Sequence, residues 1–155
     1  PIQILKNLLT KYDNKMKKIN LETQILAAFH EGLNKGLAWL TNEDIGIMIW
    51  GNGYIPQTAH IFNKMIKERM WKVRELAEQE GTLIIPMRKK IPNNTRGFKI
   101  TAWKIATIDD RKYIEDELMY KLHNGDSRKK STIRFVKTAV ASSMLPPVKL
   151  HELTE

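Results

Sequence analysis

The feature that most limits what this chain can become is a change of period in its middle. From Gln57 to Glu80 the apolar residues Phe62, Ile66, Met70, Val73 and Ala77 recur at helical spacing, supported by Ile61, Met65 and Leu76. Gly81 ends that pattern. Thr82–Met87 is then β-branched and apolar, and Gly97–Trp103 alternates. Between them, Arg88-Lys89-Lys90-Ile91-Pro92-Asn93-Asn94-Thr95-Arg96 is polar and turn-rich, which predicts a β-hairpin with a long basic tip. Pro86 has no N–H to give to a ladder, so its strand belongs at an edge. An amphipathic helix running into one hairpin predicts a mainly α fold with a small β-hairpin.

The flanking segments are helical. Residues 2–18 place Leu5, Leu8, Leu9, Tyr12 and Met16, with Ile19, on one face and lysines on the other. Asn20 suits the N-cap of a second helix, whose stripe is Leu21, Ile25, Leu26, Phe29 and Leu33 and whose stop is Gly36. Leu37–Leu40 reads as a short extended piece. Thr41 caps a third helix carrying Ile45, Ile47, Met48 and Ile49, broken by Gly51-Asn52-Gly53. Pro56 suits the first turn of the long segment, which is either one helix or two broken around Glu68–Met70. After the hairpin come a helix over 108–124, with Tyr113, Ile114, Leu118, Met119 and Leu122 on its apolar side, and a helix over 128–144 with Ile133, Val136, Val140 and Met144. Trp39, Trp50, Trp71 and Trp103 are expected in the core or at a dimer contact.

The order helix, short strand, Thr-capped helix, turn, amphipathic helix, Gly, hairpin resembles winged helix-turn-helix DNA-binding proteins of bacteriophage and plasmid type, both regulators and replication-associated proteins. The residues that carry the resemblance are Leu40-Thr41-Asn42-Glu43-Asp44-Ile45, Val73-Arg74-Glu75-Leu76-Ala77-Glu78-Gln79-Glu80-Gly81, Thr82-Leu83-Ile84 and Arg96-Gly97-Phe98-Lys99-Ile100-Thr101. The resemblance covers about 21–103, the winged domain; outside it the residues themselves read as an N-terminal amphipathic helix (1–20), a C-terminal helical pair (104–145) whose two apolar stripes need burial and so suggest a homodimer contact, and a tail (146–155). Pro56–Glu80 exceeds the usual recognition helix of that fold, so either its N-terminal half or the part after Arg69 faces DNA.

Charge points the same way. The net charge of +9 is unevenly spread: residues 1–20 carry five Lys and one Asp, residues 21–81 six cations and eight acids, and residues 82–139 fourteen cations and six acids. Between Arg88 and Lys99 there are five cations and no acid. Such a cluster repels itself, and phosphates relieve the repulsion while releasing counterions.

A helix entering the major groove needs polar side chains opposite its buried stripe. Gln57, Thr58, Asn63, Lys64, Lys67, Arg69, Lys72 and Arg74 supply them, while Glu68, Glu75 and Glu78 offer local ion-pair partners. Arg88, Lys89, Lys90, Asn93, Asn94, Arg96 and Lys99 form the hairpin's share of the expected DNA surface. Arg128, Lys129 and Lys130, with Arg134 and Lys137, add a cluster at the start of the last helix, where cations oppose the helix dipole.

Other chemistries find little support. Without cysteine there is neither a disulfide nor a thiolate zinc site. No phosphate-loop or dinucleotide glycine pattern occurs. His30, His60, His123 and His151 lack metal spacing, and neighbouring acids such as Asp109-Asp110 and Glu115-Asp116-Glu117 point different ways on a helix. The expectation is therefore not an enzyme and no cofactor. No apolar run reaches the ~20 residues that cross a bilayer, and no signal-peptide core is present. A cytoplasmic place is expected, in the bacterial host cell or associated with its nucleoid. The expected function is sequence-specific double-stranded DNA binding by a transcriptional regulator or replication-initiation protein. The alternative is a protein-interaction module that docks on a host polymerase or nuclease.

Overall fold

Local caps set the first two helices. The Asn20 side chain accepts from the Thr23 N–H at 2.9 Å and opens α1, Leu21–Asn34. Thr41 Oγ1 accepts from the Asp44 N–H at 3.0 Å, and Asp44 accepts back from the Thr41 N–H at 2.9 Å, which opens α2, Asn42–Trp50. The long amphipathic stretch is one helix, α3, Ala59–Gln79; Pro56 lies in the turn before it. Then come β1 (Ile84–Lys90), β2 (Phe98–Ile105), α4 (Arg111–His123) and α5 (Lys130–Ala141). The computed structural model describes residues 19–91 and 97–147. The helix expected over 2–18, the tail from 148 onward, and Asn93, Asn94 and Arg96 lie outside the described residues. Among those described, the chain is mainly helical with one two-stranded antiparallel sheet, and no helix is long and apolar enough to cross a membrane.

The α2–α3 connection is built around Tyr54. Its hydroxyl donates to Asn63 Oδ1 at 2.8 Å, and its ring lies against Gly46. Trp50 stacks on Phe62 with centroids 4.1 Å apart, pinning the end of α2 to the start of α3. Thr58 Oγ1 donates to the Gly53 carbonyl at 2.7 Å and holds the turn.

The hairpin base is packed on both faces. Successive strand residues point to opposite sides. Ile84, with Trp103 and Ile105, joins a core made with α1, α2 and α3 through Ile25, Phe29, Leu40, Ile45, Ile66 and Val73. Leu83 and Ile85 join a second core with Ile114, Phe135, Val136, Ala139 and Leu145. The stripes of α4 and α5 are thus covered within the chain. That removes the packing demand that suggested a dimer through these helices. Of the residues expected on the apolar side of α4, Ile114 is buried, but Tyr113 and Met119 are exposed, and Glu117, not expected there, is buried. The strands also run further than the sequence indicates, with Arg88, Lys89 and Lys90 paired opposite Ile100, Lys99 and Phe98.

Leu40 forms an antiparallel bridge to Trp103, each N–H donating to the other's carbonyl at 2.8 Å. Both hydrogen-bonding groups of Trp103 therefore point away from β1. Its β1 partner is Pro86. The missing N–H costs no ladder bond there, because in a non-hydrogen-bonded antiparallel pair it would face the open edge.

At the far end of β2, Lys104 Nζ donates to Asp110 Oδ1 at 2.9 Å, while the Thr107 N–H donates to Oδ2 at 2.8 Å. Burial alone would raise the Asp110 carboxyl; the Thr107 and Lys104 bonds outweigh it and hold the group below its ordinary value of 3.8. A depressed carboxylate stabilises the fold above that ordinary value and loses the contribution as pH falls through and beneath it. Asp110→Asn is expected to cost about 1–2 kcal/mol at pH 7, with the gap to wild type shrinking below pH 3.8 in urea titrations. Gly46→Ala would place a methyl against the Tyr54 ring, 2.6 Å from Cδ2. It is expected to lower unfolding stability by about 1–3 kcal/mol, read from the urea midpoint.

Candidate nucleic-acid interface

The cations that sequence reasoning assigned to DNA separate into two populations. One is used by the fold. Arg88 does not reach outward: its Nε and Nη2 donate to the two oxygens of Glu117 at 3.0 and 3.1 Å, and its guanidinium lies over the Tyr120 ring at 4.0 Å. Arg74 is turned inward as well, 3.8 Å from Glu117 and 5.4 Å from the centre of the Trp103 ring, with Nε buried and unpartnered. Both residues are removed from the expected DNA surface. The physical reason is Glu117: only 3% exposed, it needs cations around it, and Arg88, Arg74 and Lys121 surround it. Burial is the main cause that lowers the Arg74 pKa, with Glu117 and Glu78 opposing it; burial likewise lowers that of Lys121.

Others have partners of their own. Arg69 donates to Glu22 at 3.0 Å, Lys64 lies 3.9 Å from Glu68, Lys72 lies 3.5 Å from Glu75, and Lys129 lies 2.9 Å from Asp126. Asn63 is held by Tyr54, and Thr58 by its turn. Arg134 pairs with Glu78 at 2.9 Å, so Glu78 does not act as a local partner on α3 but ties α3 to α5. Arg128 is exposed and already has an interaction partner.

The second population is free among the described residues. Lys67 on α3, Lys89, Lys90 and Lys99 on the hairpin, and Lys130 and Lys137 on α5 are exposed and make no ion pair; Gln57 is exposed in the turn before α3. Lys89 and Lys99 are directly paired across the ladder. Alternation puts them on one face of the ribbon, with Arg88, Lys90, Phe98 and Ile100 on the other. Like charges directly opposite on a sheet destabilise it, and among the described residues no carboxylate pairs with either.

The outward face of α3 differs from expectation. Ile61, Met65 and Trp71 are exposed there, Trp71 at 65%, among two lysines already matched to Glu68 and Glu75. Trp71 is therefore outside the core, the first of the two places expected for it. Among the described residues, no three His, Asp or Glu side chains are grouped to hold a metal ion.

Sequence reasoning missed Glu117. A signal existed: Glu117 follows Ile114 by three and precedes Lys121 by four, so a charged residue sits on the helical stripe that includes Leu118 and Leu122. Glu117→Gln keeps the shape and removes the charge from among three cations. It is expected to cost about 3–5 kcal/mol in urea unfolding followed by tryptophan fluorescence; unchanged stability would contradict the clamp.

Compared with protein-family models, curated proteins and solved structures, the chain matches none.

Proposed function

We propose that this chain is a winged helix-turn-helix protein that binds double-stranded DNA sequence-specifically, holding phosphates with its hairpin and reading base edges with α3. The observation that carries the reading is the Lys89–Lys99 pair: two exposed cations directly opposed on a ribbon, with no acid among the described residues to neutralise them. Folding gains nothing from that arrangement, whereas a phosphate backbone does. The element order supports it, with α2 and α3 joined by a turn, a Leu40 bridge on β2, and the hairpin directly after α3.

Base reading falls to the N-terminal half of α3, where Lys64 and Lys67 follow Gln57. The C-terminal half is flanked by α4 and α5 through Arg74 and Glu78. A first helical half directed at the groove is the usual docking of such motifs. Breaking the exposed Lys64–Glu68 contact, 3.9 Å long, costs little. A transcriptional regulator or replication initiator of a phage or plasmid is the role the sequence resemblance favours.

A second reading has its own observation. The outward face of α3 pairs Lys64 with Glu68 and Lys72 with Glu75 and bears Ile61, Met65 and Trp71, chemistry suited to a protein surface such as a host polymerase or nuclease. A homodimer through α4 and α5 would draw on outer side chains such as Met119, 62% exposed, because the stripes beneath are occupied.

The test removes the ribbon charges. Lys89→Ala with Lys99→Ala is expected to weaken duplex binding by fluorescence anisotropy for all sequences alike. The slope of log affinity against log salt should fall by about 2, one unit per phosphate contact. Thermal stability should hold or rise, since the repulsion is gone. Salt-independent binding, or none at low salt, would sink the reading.

A further inference from the structure

The cleft between the hairpin and α4 contributes to neither core and is not used in the duplex contacts above. It has a volume of about 250 Å³ and is lined by Pro86, Arg88, Phe98, Tyr113, Asp116 and Tyr120, with Glu117 at its floor. Its aromatic surfaces are available. Phe98 is 50% exposed and Tyr113 42% exposed. Tyr120 is fixed from one side by Arg88, and Phe98 meets it edge-on with centroids 6.2 Å apart. Tyr113 is braced by Trp39 in a second edge contact at 5.2 Å.

The lining holds one cation, Arg88, against two acids, Glu117 and Asp116. Arg88 is matched by Glu117, leaving the carboxylate of Asp116, exposed and without an ion pair among the described residues, and the exposed Lys90 follows Arg88 by two along β1. Lys90 and Phe98 are cross-strand partners, so they share a ribbon face with Arg88. A polyanion drawn into a cleft with a surplus acid has no reason to bury its phosphates. A flat, uncharged heteroaromatic group with N–H donors fits better: the rings offer stacking, Asp116 accepts a hydrogen bond, and Lys90 meets the attached phosphate. Stacked aromatic side chains beside a basic track are the means by which proteins hold unpaired bases.

We propose that the cleft formed by Phe98, Tyr113, Tyr120 and Asp116 takes up a single unpaired nucleobase from a strand whose backbone crosses the ribbon lysines. The proposal rests on the nucleic-acid reading above and adds a preference for ends, junctions or melted sites over intact duplex. It also gives the ribbon's two faces separate tasks, with Lys89 and Lys99 on the backbone and the Phe98 side on the base.

Four labelled probes test it with the full chain by fluorescence anisotropy at one salt concentration. They are a blunt duplex, the same duplex with a short single-stranded DNA extension, the same extension built from abasic sites, and a ribonucleotide extension. The base-bearing extension is expected to bind roughly five- to hundredfold tighter than the blunt duplex, the range for one stacked base. The abasic extension should bind like the blunt form, and Phe98→Ala should abolish the difference between extended and blunt probes. A tighter hold on the ribonucleotide extension supports the same site and names RNA as the source of the base. Equal binding of base-bearing and abasic extensions, or of extended and blunt duplexes, overturns the cleft while leaving duplex binding intact. Binding to none of the four overturns both.

Discussion

A two-stranded ribbon is marginal by itself in water, and this one stands because its base is buried on both sides. Leu83, Ile84 and Ile85 are each at most 1% exposed, which consecutive strand residues achieve only when each face has its own cover. The first cover is the α1–α3 unit and the second is the α4–α5 pair. The C-terminal helices are therefore part of the mount that makes the ribbon possible, not an appendage. Glu117 completes the mount. It grips Arg88 where β1 leaves the apolar base, so the ribbon's exit is fixed immediately before Lys89.

This geometry redefines what the charge of +9 means. Buried or short ion pairs use Arg74, Arg88, Lys104 and Arg134 to join α3, the hairpin, α4 and α5. Such pairs owe their value to complete pairing, since removing one member strands a desolvated charge. Among the described residues, the cations left over stand mainly on the ribbon and at the last helix. A count of basic residues overstates the surface available to a polyanion, while the opposed Lys89 and Lys99 identify where that surface is concentrated.

What the sequence made legible is what depends on near neighbours. The Asn20 and Thr41 caps act over three residues, and Gly36, Gly81 and Gly125 adopt φ values of 79°, 80° and 75° at helix ends. The switch from helical to alternating period located the hairpin within a few residues. The failures are long-range. Arg88 meets a carboxylate 29 residues on, and Arg134 one 56 residues back, and neither spacing leaves a mark in periodicity. Reading Arg88–Lys90 as part of a tip was a related error, since charged residues are accepted in a strand wherever its face meets solvent or a buried acid. On α4 the stripe was rotated: Tyr113 and Met119 are the more apolar choice, but Glu117 is what the neighbouring arginines require.

The balance on α3 bears on how the proposed complex would discriminate between DNA sites. With Lys64 and Lys72 beside Glu68 and Glu75, that helix brings little net charge to a groove beyond Lys67. Attraction then comes from the ribbon and is blind to sequence. The helix contributes shape, a few N–H donors and the apolar edges of Ile61 and Met65, which suit thymine methyl groups. Glutamates near phosphates penalise poorly fitted sites, because a misplaced helix sets like charges together without base contacts to offset them. The same acids that weaken overall affinity thereby sharpen the difference between a matched and a mismatched site, and it is that difference, not affinity alone, that makes a binder specific.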